Sequence, residues 1–232
     1  MIIGITGLAG SGKDSAAKII MKKYPSYKKL SFASRLKDMV ATLYKWDRDK
    51  LEGISEEDRA WREKCDPVLL NTFGRRITPR HEMQLLGTGL KEILQENFWA
   101  CIVKHEIEVK KLKNVVITDV RFPDEIEMIR SLGGYIIEIQ RGDLPKWYDV
   151  AYRANRGSNL LYDKIFNFSA YRQYLKQHES EKAWIGINKP DSIIFNPTSD
   201  LWILEQNILR IMKEIKEKES VKEKKKGDKN AI

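Results

Sequence analysis

The chain has 232 residues, of which 42% are hydrophobic and 32% are charged, and its formal net charge is +9. This length allows a full hydrophobic core in one or two domains, and the hydrophobic share excludes a chain that is disordered throughout. No apolar run approaches the roughly 18 residues of a membrane span, and the N-terminus lacks the basic segment and cleavage site of a signal peptide. The positive charge suits a protein that handles phosphate anions, and by itself does not indicate nucleic acid.

The two cysteines, Cys65 and Cys101, are far apart in the sequence, and no second Cys or His pairs with either at the spacing of a structural metal site. We therefore expect reduced thiols, no metal held by cysteine, and a cytosolic protein.

Short apolar runs alternate with helical patterns along the chain. Residues predicted as strands are Met1–Thr6, Tyr27–Ala33, Val115–Thr118, Tyr135–Ile139 and Ser192–Phe195. Residues predicted as helices are Ser15–Lys23, Leu36–Leu43, Arg80–Gln95, Phe98–Leu112, Pro123–Leu132 and Asp200–Ile215, with helical pieces and a loop in the charged stretch Asp47–Phe73. This alternation predicts an α/β fold with a mostly parallel sheet. Residues 213–232 are rich in lysine, and we expect a charged, disordered tail there.

The segment Gly7–Lys13 matches the pattern G-x-x-x-x-G-K, and it lies directly between the first strand and the first helix. Glycines in this setting let backbone N–H groups converge on phosphates, the helix N-terminus adds its positive end, and the lysine reaches the terminal phosphates. We therefore predict a nucleotide-phosphate site. Its candidate residues are Gly7, Ala9, Gly10, Ser11, Gly12, Lys13, Asp14 and Ser15.

One position departs from that pattern, which has Ser or Thr after the lysine as a ligand of Mg²⁺. Here Asp14 follows Lys13, and Ser15 comes next. Three interpretations stay open: Asp14 takes a role on the metal side, Ser15 substitutes as the ligand, or Asp14 caps the helix, where acidic residues are favoured.

A second group of charged residues follows the predicted buried strand Val115–Thr118. Asp119 comes at its carboxyl end, where open α/β sheets bind ligands, and Arg121 and Glu125 follow. In phosphate-loop proteins an acid at this position orients Mg²⁺ or its water shell. The alternative is a structural Asp–Arg pair that caps the next helix, and we favour the functional interpretation.

Arginines stand at the edges of predicted elements, at Arg59, Arg80, Arg121 and Arg141. A kinase that acts on a phosphorylated acceptor has to hold two anions close together, and guanidinium groups bind phosphate bidentately. Each arginine alone is typical of a protein surface, whereas the set indicates such an acceptor.

Motifs in a definite order run along most of residues 1–212. They are Gly10–Ser15, Leu30–Ala33, Arg35–Asp38, Glu52-Gly53 with Asp58-Arg59, Arg80–Thr88 with Trp99, Asp119–Arg121 with Glu125, His178–Glu181 and Ile194–Asn196. In this order they resemble the phage-type deoxynucleoside monophosphate kinases of the P-loop nucleoside monophosphate kinase superfamily. That family also carries Asp after its phosphate-loop lysine, so the departure at Asp14 becomes part of the resemblance.

The resemblance implies transfer of the γ-phosphoryl group of ATP to a deoxynucleoside 5′-monophosphate, with Mg²⁺ held near Asp14 or Ser15. It implies a P-loop NTPase three-layer sandwich over 1–212, a mostly parallel sheet flanked by helices with a helical acceptor-binding insertion at about 34–112. It also implies a homodimer that acts without membrane or nucleic acid, and the composition hints at a viral protein of the host cytoplasm. The residues implied around the acceptor are Lys37, Arg59, Arg80, Gly87, Thr88, Trp99, Asp119, Arg121 and Glu125.

The chain departs from the family between Arg141 and His178, where it is longer than we expect. Residues 143–177 hold eight aromatic residues interleaved with basic ones: Trp147, Tyr148, Tyr152, Tyr162, Phe166, Phe168, Tyr171 and Tyr174. We expect an extra packed helix pair or a lid-like segment over ATP, with the stacking of unpaired bases as the alternative. Whether Arg141 keeps a catalytic position stays open.

The expected chemistry is direct in-line transfer without a covalent enzyme intermediate, which depends on positioning and charge stabilisation. Lys13 and Arg121 are the predicted cationic stabilisers, and Asp119 is the predicted acid that orients Mg²⁺ or the acceptor. The rival interpretations are a kinase similar to dephospho-coenzyme A kinase or to phosphomevalonate kinase, a P-loop ATPase stimulated by nucleic acid, and a nucleotide-binding module without turnover.

Overall fold

A parallel five-stranded sheet organises the chain. In the computed structural model, which describes residues 1–187, 189–197 and 200–229, the strands lie in the order β2-β3-β1-β4-β5. Their bounds are β1 Ile2–Thr6, β2 Lys28–Leu30, β3 Val115–Ile117, β4 Tyr135–Gln140 and β5 Ser192–Phe195. In the centre of the sheet, Ile3 of β1 lies in register with Val116 on one side and Tyr135 on the other. The predicted α/β fold with a parallel sheet is confirmed.

The α-helices carry most of the remaining chain, with a short 3₁₀ helix at Lys50–Glu52. In chain order they are α1 Lys13–Lys23, α2 Ser34–Tyr44, α3 Glu56–Glu63, α4 Pro67–Phe73, α5 Pro79–Ile93, α6 Phe98–Val109, α7 Pro123–Ser131, α8 Lys146–Asn155, α9 Leu161–Phe166, α10 Phe168–Lys176, α11 Glu179–Lys182 and α12 Leu201–Lys229.

The chain divides into two compact units. The phosphate-loop unit consists of Met1–Leu30 together with the chain from Ile107 onward, and the helical unit is Ser31–Glu106. The helical unit overlaps the region at about 34–112 in which we expected the acceptor-binding insertion.

The phosphate-loop unit has helices on both faces of its sheet. On one face, Ile3 and Ile5 of β1 are fully buried in a cluster with Ile20 of α1 and Ile208 of α12. Each such side chain contributes about 1.5–3 kcal/mol by leaving water. On the other face Gly4 lets α7 come close, because an added Cβ would meet Ile129 Cδ1 at 2.6 Å. Continuous β-branched runs therefore form strands that are buried on both sides.

The helical unit has its own core. Val40, Leu51 and Ile77 are fully buried in it, and Trp46 and Trp99 are nearly so. Trp46 also stacks on Tyr44, with 4.5 Å between the ring centroids. The helical unit, whose sequence at Asp47–Phe73 is charged and shows little periodicity, therefore has a core that includes aromatic side chains.

The C-terminal helix differs from the expectation. We predicted that the helix ends at Ile215 and that 213–232 is disordered, and this is wrong over 213–229, because α12 continues to Lys229. Residues 230–232 lie outside the described residues. Lysine and glutamate are good helix formers and pair at i,i+4, as Arg210 and Glu214 do at 2.9 Å. A helix that is packed through buried residues such as Met212 and Ile215 thus continues through a sequence rich in lysine and glutamate.

Within the described parts of the chain, none of the helices combines the length and the apolar character needed to cross a membrane.

Candidate active site

The loop between β1 and α1 has a backbone that requires glycine. Gly7, Gly10 and Gly12 have φ angles of 144°, 77° and 106°, in the region that other residues rarely adopt. At Gly7 the space is also closed, since an added Cβ would lie 2.3 Å from the carbonyl oxygen of Ile139. α1 begins directly after Gly12, so its N-terminal N–H groups face this loop. A loop of this kind at a helix N-terminus is an anion-binding structure.

Lys13 lies over its own loop. Its Nζ donates hydrogen bonds to the carbonyl oxygens of Gly7 at 2.8 Å and Leu8 at 2.7 Å. Burial lowers the pKa of Lys13 to about 8, and the charge of Arg121 adds to this, while nearby carboxylates oppose it. The ammonium group is thus held where the loop turns, in a partly desolvated position that strengthens its attraction to an anion.

Asp14 ties the first turn of α1 to the ends of two strands. Its Oδ1 accepts a hydrogen bond from Lys29 Nζ at 2.6 Å and another from Thr118 Oγ1 at 3.0 Å. Burial opposes ionisation, but the hydrogen bond and charge of Lys29 hold the pKa of Asp14 below its usual value. The carboxylate therefore stays charged beside the end of β3, and Ser15 follows it in the same helical turn.

Asp119 directly follows Thr118, whose hydroxyl group donates to Asp14. β3 pairs directly with β1, so the residues that follow Ile117 and those that follow Thr6 reach the same edge of the sheet. The charge of Asp119 acts on the pKa of both Lys13 and Glu125. The predicted approach of Asp119 to the phosphate loop is therefore what this topology produces.

Arg121 is held by the segment around α11. Its guanidinium Nη1 donates to Ser180 Oγ at 3.3 Å and forms an ion pair with Glu181. His178 in turn accepts the backbone N–H of Ser180 at its Nδ1, at 3.2 Å. Burial, together with the charge of Arg121 and against that of Glu181, lowers the pKa of His178, so its ring is neutral at pH 7 and Nδ1 serves as an acceptor. These three residues orient the arginine.

Glu125 stabilises the segment between β3 and α7, which carries Arg121. Its side chain is only 3% exposed, and Oε2 accepts the backbone N–H groups of Arg121 at 2.6 Å and Phe122 at 3.0 Å. Burial and the charge of Asp119 raise its pKa, against the effect of these two hydrogen bonds. The structure thus gives Glu125 a positioning role at the start of α7, and its direct contact with an acceptor stays a prediction.

Arg141 reaches the phosphate loop from the end of β4. Its Nη1 donates to the carbonyl oxygen of Gly10 at 2.8 Å. The two residues line one cavity of about 450 Å³ with Tyr148 of α8 and Trp184. On its wall Glu138 accepts hydrogen bonds from the Tyr148 hydroxyl at 3.0 Å and from Gln140 at 2.7 Å. The cavity beside the loop is therefore built partly by the expanded segment.

That expanded segment, 143–177, forms α8, α9 and α10. Its aromatic residues divide by burial, since Trp147 and Tyr148 are buried while Tyr162, Phe166 and Phe168 are exposed. The closure of this segment over a nucleotide stays a prediction.

The residues predicted around the acceptor in the helical unit are mostly engaged with their own unit. Lys37 Nζ pairs with Glu52 at 2.6 Å, and Arg80 pairs with Glu63. Thr88 is exposed on α5.

Two further predicted residues hold backbone in the same unit. Arg59 donates to the carbonyl oxygens of Gly53 at 3.1 Å and Ile54 at 2.9 Å. Trp99 Nε1 donates to the carbonyl oxygen of Gly87 at 2.9 Å. Several of the predicted residues therefore stabilise loops and helix contacts in this unit, although Arg59 is itself exposed.

The comparisons with known proteins agree with this geometry. A family model described as deoxynucleotide monophosphate kinase matches residues 62–150. A protein of Acanthamoeba polyphaga mimivirus, named as a putative deoxynucleotide monophosphate kinase, is 31% identical over 193 residues, which is 72% of this chain and 95% of that protein. The chain belongs to the deoxynucleotide monophosphate kinase family. The deoxynucleoside-5′-monophosphate kinase of Escherichia phage T5 is 27% identical over 180 residues, 56% of this chain and 72% of that protein.

Solved structures are more distant from this family member. The shikimate kinase of Bacteroides thetaiotaomicron is similar with a TM-score of 0.42 and 16% identity, over 93% of this chain and 98% of that one. The dephospho-CoA kinase of Campylobacter jejuni is similar with a TM-score of 0.44 and 17% identity, over 92% of this chain and 96% of that one.

Membership of the family confirms that the chain is a nucleotide-handling kinase. The structure adds contacts near the phosphate loop that the sequence analysis did not find. The motif His178–Glu181 was noticed without a role, and the structure shows that it orients Arg121. Thr118 and Lys29, which hold Asp14, were not singled out at all, because neither belongs to a short motif.

Proposed function

We propose that this chain transfers the γ-phosphoryl group of ATP to the 5′-phosphate of a deoxynucleoside monophosphate. The observation that carries the proposal is the meeting of the Lys13 loop with Asp119 and Arg121 at one edge of the parallel sheet. The acceptor class comes from the family, whose viral members are named for it.

The triphosphate of ATP would lie in the loop Gly7–Gly12, where backbone N–H groups and Lys13 neutralise its charge. In this arrangement Lys13 exchanges its hydrogen bonds to Gly7 and Leu8 for phosphate oxygens. The cavity that Arg141 lines beside the loop offers space for the rest of the donor.

The residues beside Lys13 fit Mg²⁺. This ion binds oxygen ligands, keeps several waters, and is usually held by one or two carboxylates together with substrate phosphates. Asp14 is ionised beside the end of β3, where Asp119 follows, so the donor set has this character. We propose these two carboxylates, with the Ser15 hydroxyl as a further candidate, to hold the ion, which when bound neutralises charge on the phosphates.

In the transfer step, an oxygen of the acceptor phosphate forms a bond to the γ-phosphorus while the bond from that phosphorus to the bridging oxygen of ADP breaks. Charge spreads over the transferred group, and positioned cations stabilise it. We assign this task to Lys13 and to Arg121, whose guanidinium is oriented by Ser180 and Glu181.

We further propose that the acceptor is held by the residues that the resemblance indicates: Lys37, Arg59, Arg80, Gly87, Thr88, Trp99, Asp119, Arg121 and Glu125. The homodimer, the setting in the host cytoplasm, and activity without membrane or nucleic acid belong to the same proposal.

A coupled assay of ADP release with Mg-ATP tests the function. The acceptors are dTMP, dGMP, dCMP and dAMP, their ribose counterparts, dephospho-coenzyme A and single-stranded DNA. We expect release that requires one or more deoxynucleotides. Release only with DNA would support the ATPase, release only with dephospho-coenzyme A would support that kinase, and silence with every acceptor would contradict the proposal.

A further inference from the structure

The polar side chains of the tight loop before α3 form hydrogen bonds within that loop. Ser55 Oγ accepts the backbone N–H of Asp58 at 3.0 Å, and the Asp58 carboxylate accepts the backbone N–H of Ser55 at 3.2 Å. These two reciprocal hydrogen bonds form a capping box at the N-terminus of α3. Arg59 braces the carbonyl oxygens of Gly53 and Ile54. The side chains of the Asp58-Arg59 pair therefore both stabilise the loop.

Arg62, one turn farther along α3, lies flat against this loop. An added Cβ on Gly53 would come within 2.3 Å of the Arg62 Cζ atom, so only glycine leaves room for the guanidinium group. The φ angle of 65° at Gly53 also favours glycine. The path of the chain is thus built to accommodate the guanidinium.

The hydrogen bonding of Arg62 is incomplete. Among the residues that the structure describes, its buried Nε has no hydrogen-bond partner, and its Nη1 makes a long contact of 3.4 Å to the carbonyl oxygen of Leu51. The neighbouring carboxylates are paired elsewhere: Glu52 with Lys37 and Arg48, and Glu63 with Arg80.

The charges around Arg62 do not offset the effect of its burial. Burial lowers its pKa, and the nearby charges of Arg80 and Arg59 add to that effect against those of Glu63 and Glu52. An arginine stays protonated even so. A partly buried cation beside other cations is unfavourable unless an anion joins it, and phosphate matches the planar fork of a guanidinium group.

We propose that Arg62 binds the 5′-phosphate of the acceptor nucleotide. This inference rests on the proposed function and adds to it, because the family motifs indicate Arg59 and Arg80 and not Arg62. Arg59 then acts as a positioning residue that fixes the loop, and Gly53 is the residue that makes space for Arg62. The class of ligand is a phosphomonoester dianion.

The test compares Arg62→Gln with Arg62→Lys and with the control Arg76→Gln. Arg76 lies in the same unit and donates to the carbonyl oxygen of Glu63, so its replacement removes the same charge at another position. For Arg62→Gln we expect KM for the deoxynucleoside monophosphate to rise roughly 10- to 100-fold, as loss of a charged hydrogen bond predicts. We expect kcat to change far less, KM for ATP to stay the same, Arg62→Lys to recover part of the affinity, and Arg76→Gln to behave as wild type.

The melting temperature separates binding from structure. Removing an unpaired, partly buried cation leaves the melting temperature unchanged or raises it, whereas removing a structural brace lowers it. An unchanged KM for the acceptor, or a lower melting temperature with kcat and both KM values altered together, would overturn the proposal.

A second measurement does not depend on turnover. In a Lys13→Ala background, which weakens the phosphate loop, we expect millimolar inorganic phosphate to raise the melting temperature, and we expect Arg62→Gln to abolish that rise. An equal rise in both proteins would overturn the Arg62 assignment. Wild-type protein that shows no ADP release with any deoxynucleotide would instead contradict the proposed function.

Discussion

The two units of the chain handle negative charge by different means. In the phosphate-loop unit the anion site is built from backbone, and its one lysine is held by the main-chain carbonyls of Gly7 and Leu8. In the helical unit two of the cations are guanidinium groups: Arg59 stabilises a loop, and Arg62 is partly buried with an Nε that has no hydrogen-bond partner among the described residues. A site built from one continuous stretch of backbone can be predicted from a short sequence motif. A site built from side chains cannot, because it depends on which side chains form hydrogen bonds with other residues in the fold.

Replacing Lys13 tests the backbone-built site and carries the largest expected effect. We expect Lys13→Ala to lower kcat by at least about 10³-fold, because the main cation at the transferred phosphate is lost. Steady-state ADP release and thermal melting are the measurements. Near-normal turnover with an intact melting transition would show that Lys13 has no catalytic role.

Removing the ion partner of Arg121 tests how far catalysis by the phosphate-loop unit also depends on contacts between side chains. We expect Glu181→Gln to lower kcat by roughly 10-fold, since Arg121 loses its orientation, and Arg121→Ala to lower it by about 10²- to 10³-fold. Glu179→Gln is the matched control, because Glu179 lies in the same helix and contacts Lys182 at 3.6 Å, whereas Glu181 pairs with Arg121. Equal kcat values for the two glutamine variants would contradict this role of Glu181.

A buried carboxylate in the helical unit has a structural role and no proposed catalytic one. Glu82 is 1% exposed, and it accepts hydrogen bonds from Arg75 at 2.8 Å and from Tyr44 at 2.6 Å. We expect Glu82→Ala to lower the free energy of unfolding by about 3–5 kcal/mol, and Tyr44→Phe by about 1–2 kcal/mol, in urea unfolding at pH 7. Wild-type stability in either variant would show that the network is dispensable.

The same carboxylate predicts a pH dependence. Against its burial, hydrogen bonds from Arg75 and Tyr44 lower the pKa of Glu82 to about 2. Its contribution to the free energy of unfolding is therefore complete above the pKa of the unfolded chain, near 4.5, and is lost as the pH falls from there toward 2. We expect wild type to lose more stability than Glu82→Gln between pH 5 and pH 3, and equal losses would contradict this.

The smallest expected effect is a proton taken up with the nucleotide. Free Lys13 has a pKa of about 8, so it is half protonated at that pH, and a bound triphosphate restores the charge. Calorimetry with a non-hydrolysable ATP analogue in two buffers should show uptake of about 0.5 proton at pH 8 and about 0.1 at pH 7. Uptake that persists in Lys13→Ala would assign the proton to another group.

Much of the phosphate-loop unit could be predicted from the sequence. A run of β-branched residues predicts the strand at Val115–Thr118, and the structure has β3 at Val115–Ile117, one residue shorter. Asp119 follows that strand, and the pairing of β3 with β1 places it beside the loop. Local patterns were sufficient here, because parallel strands bring their carboxyl ends to one edge.

Contacts between distant parts of the chain could not be predicted in this way. The partner of Arg121 is Glu181, which lies sixty residues farther along the chain. The burial of Arg62 against Gly53 depends on a loop that has no periodic pattern. The extension of α12 through 213–229 was missed because the prediction relied on apolar periodicity, whereas a run of helix-forming residues such as lysine and glutamate continues a helix without it.

The most direct test of the central claim is the fate of the γ-phosphoryl group. We would incubate the wild-type chain with Mg-ATP and the deoxynucleotide that best stimulates ADP release, and follow the products by ³¹P nuclear magnetic resonance. The account predicts the β-phosphorus signal of a new deoxynucleoside diphosphate, in equal amount to the ADP formed. Inorganic phosphate in place of that signal would show transfer to water and would contradict the assignment of a nucleotide acceptor.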